Sequence, residues 1–204
     1  MSVLVDRALG ELSTLLDQLY WEARNAFDAA FNARVELVAK HCREAEKLRQ
    51  TILERSVEYL ARFQPMAREL RRFMAYIEAS YDLFRVSRYA LETARLLARI
   101  PESCRLEEAR ETADRAKEML DAAYRALRSE DPRLAREVLG LDEEIDRAYL
   151  HSLDQLVVRE EFNRCQVAEM LVLRHVERVA DHAVYIASAA HYIATGRRLA
   201  DGGP

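Results

Sequence analysis

Helix-breaking residues are so sparse in this chain that they divide it into long, uninterrupted runs. Only five Gly and four Pro occur among 204 residues, while half of the residues are hydrophobic. Ala, Leu, Arg and Glu dominate, and these side chains lose little conformational freedom in a helix, whereas Gly and Pro interrupt one. No segment keeps the alternation of apolar and polar residues that is typical of strands. The sequence therefore predicts an all-α fold.

The positions of the breakers predict where the helices begin and end. Pro65 and Pro132 each fit the first turn of a helix. Pro101 ends the third helix, and Ser103 is expected to cap the fourth by accepting a hydrogen bond from a free backbone N–H. We expect six helices with approximate bounds 2–31, 35–62, 65–99, 104–129, 132–158 and 161–195, the last ended by Gly196.

Six helices around one central linker, at residues 100–103, indicate an internal repeat. Shifting the chain by about 93 residues lays residues 82–94 over 175–187. The matches fall at steps of one helical turn and pair Arg85, Val86, Ala90 and Ala94 with Arg178, Val179, Ala183 and Ala187. Short connections favour antiparallel packing. We therefore predict two tandem three-helix bundles, residues 1–100 and 101–196, followed by a flexible tail at 197–204.

Charge and cysteine content argue against several classes of protein. The chain has 31 Lys and Arg against 35 Asp and Glu, so we expect no basic face for nucleic acid. No apolar run reaches the roughly 18–20 residues that cross a bilayer, and the N-terminus lacks a signal-peptide pattern. Cys42, Cys104 and Cys165 are odd in number and far apart. We expect three buried thiols, no disulfide, and a cytoplasmic location.

Two pairs of carboxylates in the second repeat are the candidate functional residues. Asp142 and Asp146 lie four residues apart on the fifth predicted helix, and Glu177 and Asp181 lie four apart on the sixth. Each pair therefore shares one helix face. If the two helices are neighbours, the four carboxylates form a patch of hard oxygens that suits metal ions and can bridge more than one.

Residues near these carboxylates leave another interpretation open. Arg174 and Arg178 are close in sequence to Glu177, so the acidic residues could belong to ordinary surface salt bridges. His175 and His182 lie roughly 160° and 140° around the helix from Glu177, so we expect both to be structural or to lie at an interface. The chain has no Gly-rich phosphate loop and no nucleophile elbow, and the sequence predicts no enzyme.

The sequence resembles the PhoU family of phosphate-uptake regulators from about residue 9 to residue 196. The resemblance is carried by Arg62-Phe-Gln-Pro65, by residues 134–146 and most specifically by Glu177-Arg-Val-Ala-Asp-His182. PhoU proteins consist of two symmetric three-helix bundles, so the resemblance implies that fold. Acidic pairs on two helices of each bundle hold multinuclear iron or zinc clusters in that family. Carried over by motif, the implied ligands are Asp142, Asp146, Glu177 and Asp181.

The first repeat departs from the family pattern. Phe84 and Arg88 stand where the motif has acidic residues, and Ala45 and Arg49 take the corresponding places on the preceding helix. An arginine repels a cation, so we expect the first site not to bind metal and Phe84 to form part of a contact surface. The resemblance then implies one cluster, on the second repeat.

The resemblance implies a cytoplasmic, non-catalytic negative regulator of phosphate uptake. Such a protein links a phosphate ABC transporter to a sensor kinase and is peripheral to the membrane through these partners. Two alternatives are open: a metal-binding or storage protein, and a PhoU-like accessory subunit of another ion-uptake system. The oligomeric state is also open, with a homodimer as one option.

Overall fold

The computed structural model describes residues 3–158 and 161–199 of the chain. These residues form no strand, so the predicted all-α fold is confirmed. The observed helix ends lie close to the predicted ones. The helices are α1 Val3–Ala30, α2 Val35–Phe63, α3 Ala67–Leu97, α4 Glu107–Ser129, α5 Pro132–Val158 and α6 Arg164–Thr195.

Two of the predicted helix-end signals act as expected. α5 begins at Pro132, and Asp131 Oδ1 accepts a hydrogen bond from the backbone N–H of Arg133 at 2.7 Å. α6 ends at Gly196, whose φ of 75° lies in the left-handed region that glycine adopts without strain. Local sequence chemistry therefore fixes the start of α5 and the end of α6.

The N-terminal cap predicted for α4 is wrong, and no cap was predicted for α6. α4 starts at Glu107, well after Ser103, and no side chain caps it. The predicted cap at Ser103 is therefore wrong. At α6 the cap is Asn163, whose Oδ1 accepts hydrogen bonds from the N–H groups of Cys165 and Gln166 at 2.9 and 3.1 Å. The Gln166 side chain bonds back to the Asn163 N–H at 3.0 Å, which completes a capping box.

The helices form two bundles, α1 with α2 and α3, and α4 with α5 and α6, joined by extensive packing of α3 on α6. Two contacts show that α3 and α6 are antiparallel. Near the start of α3, Arg71 Nε donates to the carbonyl of Ile193, and near its end Thr93 Oγ1 lies 3.3 Å from His175 Nδ1. The prediction of two tandem three-helix bundles is confirmed.

Reciprocal contacts between α1 and α4 show the pseudo-two-fold relation of the halves. The rings of Tyr20 and Tyr124 stack with centroids 4.0 Å apart. The Tyr20 hydroxyl donates to Asp121 at 2.6 Å, and the Tyr124 hydroxyl donates to Asp17 at 2.5 Å. Burial, together with these carboxylates, raises the pKa of both tyrosines. Each half thus presents one tyrosine and one aspartate to the other half in the same way.

The core consists of one apolar stripe on each outer helix and of small residues on the central pair. On α1 the stripe follows helical spacing and includes Leu9, Leu12, Leu16, Leu19, Ala23 and Ala26. Small side chains let α3 and α6 approach closely. The buried alanines of these two helices are Ala75, Ala79, Ala90, Ala94, Ala168, Ala180, Ala183, Ala187, Ala189 and Ala190. Among the described residues, no helix has an apolar stretch long enough to traverse a bilayer.

The cysteines differ most from the sequence prediction. Cys104, in the linker before α4, and Cys165, in the first turn of α6, form a disulfide across 61 residues of sequence. The prediction of three thiols and no disulfide is wrong, because the linker folds back onto the start of α6 and brings the two Cα atoms within 5.2 Å. Cys42 is a buried free thiol, as predicted, and the Ser87 hydroxyl donates to its sulfur at 3.6 Å.

The first residues of the predicted tail lie against the first bundle. Arg198 donates to both carboxylate oxygens of Glu78 on α3, each at 2.6 Å. Its guanidinium also lies 4.9 Å from the ring centroid of Tyr192, and Leu199 is buried. The remainder of the predicted tail, residues 200–204, lies outside the described residues.

Candidate metal centre

α5 and α6 pack along each other and bring the four predicted carboxylates to one face of the second bundle. Their mutual influence shows in the ionisation of Asp142. The pKa of this residue is raised to about 7. Burial is the largest cause, and the negative charges of Asp146, Asp181, Glu177 and Glu143 account for the rest. The two acidic pairs therefore form a single electrostatic cluster.

The other members of this carboxylate cluster are perturbed in the same direction. Burial raises the pKa of Glu177, and the charge of Asp181 adds to the effect. The pKa of Asp146 is raised for the same two reasons. A bound cation would favour the ionised forms of all these groups. The protein thus holds negative charges together at a cost that a metal ion could offset.

Two carboxylate oxygens of the cluster lack hydrogen-bond partners among the described residues. They are Asp142 Oδ1 and Glu177 Oε2, and both are buried. Glu177 as a whole is only 9% exposed. Buried polar atoms are almost always hydrogen-bonded, and leaving one unpaired costs about 1–3 kcal/mol. A cation coordinated by these oxygens would remove that cost.

Arginines on α6 compete for part of the cluster. Arg174 Nη1 lies 2.5 Å from Glu177 Oε1, and Arg178 Nη1 lies 2.8 Å from Asp181 Oδ2. The salt-bridge interpretation is therefore realised for the α6 pair. Within residues 3–158 and 161–199, Asp142 and Asp146 have no ion-pair partner, and only the more distant charge of Arg174 partly offsets that of Asp146.

The donor chemistry of the cluster fits a metal ion, but the side chains are not closed around one point. All four donors are carboxylates, which suit hard cations. Asp142 Oδ1 is available as a ligand, and Glu177 Oε2 becomes available if Arg178, whose Nε lies 3.8 Å away, moves. As placed, no three His, Cys, Asp or Glu side chains of the described chain are close enough together to hold one ion. Metal binding would require carboxylate rotation and displacement of the Arg174 and Arg178 guanidinium groups.

The two flanking histidines are interface residues, as predicted. His182 Nδ1 lies 2.9 Å from Asp82 Oδ1 across the α3–α6 contact, and both side chains are buried. His175 contacts Thr93 of α3. Burial raises the pKa of Asp82, while the hydrogen bond to His182 opposes the rise. Sequence reasoning missed Asp82, because Glu78 and Arg85 lie one turn away on the same helix face and make it look like an ordinary charged surface.

The equivalent positions in the first repeat form an arginine–aromatic stack. The guanidinium of Arg49 lies 5.5 Å from the ring centroid of Phe84 and 5.8 Å from that of Tyr81. Ala45 is fully buried, and Arg88 pairs with Glu92 of its own helix at 3.8 Å. The first half therefore presents cations and rings where the second half presents carboxylates.

Several known proteins align with this sequence over most of its length. The phosphate-specific transport system accessory protein PhoU homolog of Synechocystis is 31% identical over 184 residues, covering 86% of this chain and 82% of its own. The homolog of Rhizobium meliloti is 28% identical over 93% of this chain and 84% of its own. Chain and relatives thus correspond nearly end to end.

Solved structures share the two-bundle fold. The crystal structure of PhoU from Pseudomonas aeruginosa matches with a TM-score of 0.80 and 26% identity, covering 94% of this chain and 97% of that one. The phosphate transport system regulatory protein PhoU from Streptococcus pneumoniae shares the fold at a TM-score of 0.69, 21% identity and coverage of 93% and 98%.

The family model described as the PhoU domain matches the chain twice, over residues 9–97 and 109–190. The first match falls on α1–α3 and the second on α4–α6. Each three-helix bundle thus corresponds to one copy of the PhoU domain. On this evidence the chain belongs to the PhoU family.

Proposed function

We propose that this protein is an accessory regulator of a phosphate transport system and lowers phosphate uptake without catalysing a reaction. The observation that carries the proposal is the match along the whole two-bundle fold. Proteins named phosphate-specific transport system accessory proteins correspond to this chain over most of both lengths. The match covers 82% and 84% of the lengths of these two relatives, so the proposed role rests on most of each relative and not on a small part of it.

The proposed mechanism is that of a rigid helical platform. α6 has 32 residues and is about 48 Å long, and it packs against α3, α4 and α5. Such a frame holds its exposed faces in fixed relative positions. We propose that these faces contact a phosphate ABC transporter and a sensor kinase, so that the protein is peripheral to the membrane through its partners.

The proposed location is the cytoplasm. Disulfides persist in reducing compartments only when their reduction potential is low enough, so the Cys104–Cys165 bridge makes this location testable. Cells would be lysed in the presence of an alkylating agent and the protein analysed by mass spectrometry. Recovery of Cys104 and Cys165 as one cross-linked peptide without alkylation would show that the bridge is present in cells. Alkylation of both would show that the compartment is reducing enough to open the bridge.

The regulatory proposal is tested by affinity capture from the protein's own cells. Tagged protein is expected to recover a subunit of the phosphate transporter and a sensor kinase after mild cross-linking. Deleting the gene should raise phosphate uptake in phosphate-rich medium. Recovery of neither partner, together with unchanged uptake, would refute the proposal. Sedimentation of the purified protein would decide whether the unit that acts is a monomer or the homodimer.

We further propose that Asp142, Asp146, Glu177 and Asp181 bind a metal cluster of iron or zinc. The support is the two buried oxygens that lack a hydrogen bond and the absence of an ion-pair partner for Asp142 and Asp146 among the described residues. The bound metal would supply positive charge. The chain's own contribution is to hold the carboxylates on adjacent helices and to provide arginines that neutralise the α6 pair when metal is absent.

Elemental analysis of protein purified without chelator tests the metal site. The Glu177→Ala/Asp181→Ala double variant should lose bound iron or zinc. Glu144 and Asp154 are exposed carboxylates of the same helix, so a Glu144→Ala/Asp154→Ala variant is the matched control and should retain the metal. Full retention in the first variant would overturn the assignment. Many ions per chain would favour the storage alternative instead.

A further inference from the structure

A cavity of about 490 Å³ opens between α2, α3, the C-terminal part of α6 and the segment that follows α6. Its walls include the apolar side chains of Leu53 and Ile77, the rings of Tyr81 and Tyr185, and Ser188. Small-molecule sites typically measure about 300–1,000 Å³ and are lined mainly by apolar and aromatic groups. This cavity meets both criteria and lies beside the Arg49–Phe84 stack of the first repeat.

The corresponding surface of the second half has different chemistry. The repeat shift of about 93 residues places Glu92 where the first half uses Tyr185, and Arg95 where it uses Ser188. Glu92 and Arg95 do line a groove there, but they form an ion pair with each other at 2.9 Å. The aromatic cavity is therefore a property of one half and not a consequence of the fold.

The charged groups around the cavity are paired, with one exception. Arg198 neutralises Glu78, and His182 bonds to Asp82. No carboxylate in the described part of the chain lies within ion-pairing distance of Arg49. Its half-buried guanidinium rests on aromatic rings instead, which leaves its N–H donors available. The cavity therefore offers an uncompensated positive charge beside an apolar interior.

We propose that this cavity binds a small amphipathic anion. Its apolar or aromatic body packs against Tyr81 and Tyr185, and its phosphate or carboxylate group is bound by Arg49. The planar guanidinium matches both of these anions, because it can donate two parallel hydrogen bonds. A cationic ligand is disfavoured, since Glu78 is already bound by Arg198 and Asp82 is already hydrogen-bonded to His182. This ligand site is independent of the proposed regulatory role and of the carboxylate cluster.

Two dyes that share an aromatic body separate the charge contribution from the apolar one. 8-Anilinonaphthalene-1-sulfonate is an aromatic anion, and N-phenyl-1-naphthylamine has similar rings without the charge. The wild-type protein should bind one molecule of each and bind the anion more tightly. Arg49→Gln should weaken binding of the anionic dye about tenfold, the effect of losing a charge-assisted hydrogen bond, and leave the neutral dye unaffected.

Three further variants make the result specific to the cavity. Leu53→Trp should fill the space and abolish binding of both dyes, and Ile77→Trp serves the same purpose if the first variant does not fold. Arg62→Gln is the matched control, because Arg62 lies on the same helix with its guanidinium 5.5 Å from the Phe63 ring centroid, outside the cavity. Equal effects of Arg49→Gln and Arg62→Gln, or full binding by both filled variants, would overturn the proposal.

Competition then distinguishes two sources of the same chemistry. Displacement of the anionic dye by adenosine monophosphate would support a nucleotide, and displacement by decanoate would support a fatty acid. Failure of both at millimolar concentration would refute an amphipathic-anion site. Dimer dissociation on addition of dye, measured by sedimentation, would show that a second copy of the chain occupies the cavity and would likewise refute it.

Discussion

Replacing Cys104 and Cys165 by serine is expected to lower the free energy of unfolding by about 4 kcal/mol. The disulfide joins residues 61 positions apart, and the closed segment contains all of α4 and α5. In the chain-entropy treatment, such a cross-link removes about 14 cal/mol/K from the unfolded chain, which is about 4 kcal/mol at 25 °C. For a chain of this size, the melting temperature should fall by roughly 8–16 °C.

Urea unfolding followed by far-UV circular dichroism measures this effect. Oxidised wild type, wild type with a phosphine reductant, and the double serine variant are compared. The last two should unfold at the same urea concentration, because both lack the cross-link. Cys42→Ala is the control: it leaves the bridge intact, so its oxidised and reduced forms should differ as those of the wild type do.

Two results would refute this reasoning about the disulfide. Coincident unfolding of oxidised wild type and the double variant would mean that the bridge does not constrain the unfolded chain. The second result is that the double serine variant is destabilised while reduction leaves the stability of the wild type unchanged. The lower free energy of unfolding would then come from poor packing of the serines at positions 104 and 165. The dependence of the free energy on urea should also be steeper without the bridge, since the unfolded chain exposes more surface.

Three further predictions follow from burial, capping and ionisation. Phe73 is 0% exposed, so thermal unfolding should show that Phe73→Ala costs about 3–5 kcal/mol, while replacing Trp21, which is 55% exposed, should cost far less. Asn163→Ala should cost about 1 kcal/mol through loss of the α6 cap, and Ser103→Ala should be neutral in the same assay. In metal-free protein, Asp142→Asn should increase stability progressively from pH 4 to pH 7 and by a constant amount above. The reason is that the pKa of this carboxyl rises from 3.8 to about 7 on folding, so its ionisation opposes the folded state in that range; a gain at pH 4 equal to that at pH 8 would contradict the assigned cause.

Helix positions were predictable from the sequence where a local residue determines the backbone. Pro132 and Gly196 act through their own φ preferences, so their effects do not depend on the rest of the molecule. Ser103 failed as a cap because its neighbour Cys104 is used elsewhere. The Cys104 N–H donates to the Pro101 carbonyl at 2.9 Å in a turn, and its sulfur is bonded to α6, which delays the start of α4.

The composition of the candidate site was predictable, but its electrostatic balance was not. Helical periodicity alone places Asp142 with Asp146 and Glu177 with Asp181. The pairing of Arg174 and Arg178 with the second pair is also local, at i,i+3 spacing on α6. Which carboxylate oxygens remain without a hydrogen bond depends on packing between helices that are distant in sequence. The same applies to the Asp82–His182 contact and to the disulfide, since no local pattern in either segment refers to its partner.

The reciprocal Tyr20–Asp121 and Tyr124–Asp17 contacts form an isologous interface within a single polypeptide. In a homodimer of three-helix subunits, one gene would encode both faces, and every change would appear twice. Covalent fusion removes that constraint, so one half can lose its acidic residues while the other keeps them. The divergence of the Arg49 side from the Asp142 side is an asymmetry that a fused dimer can evolve and a homodimer encoded by one gene cannot.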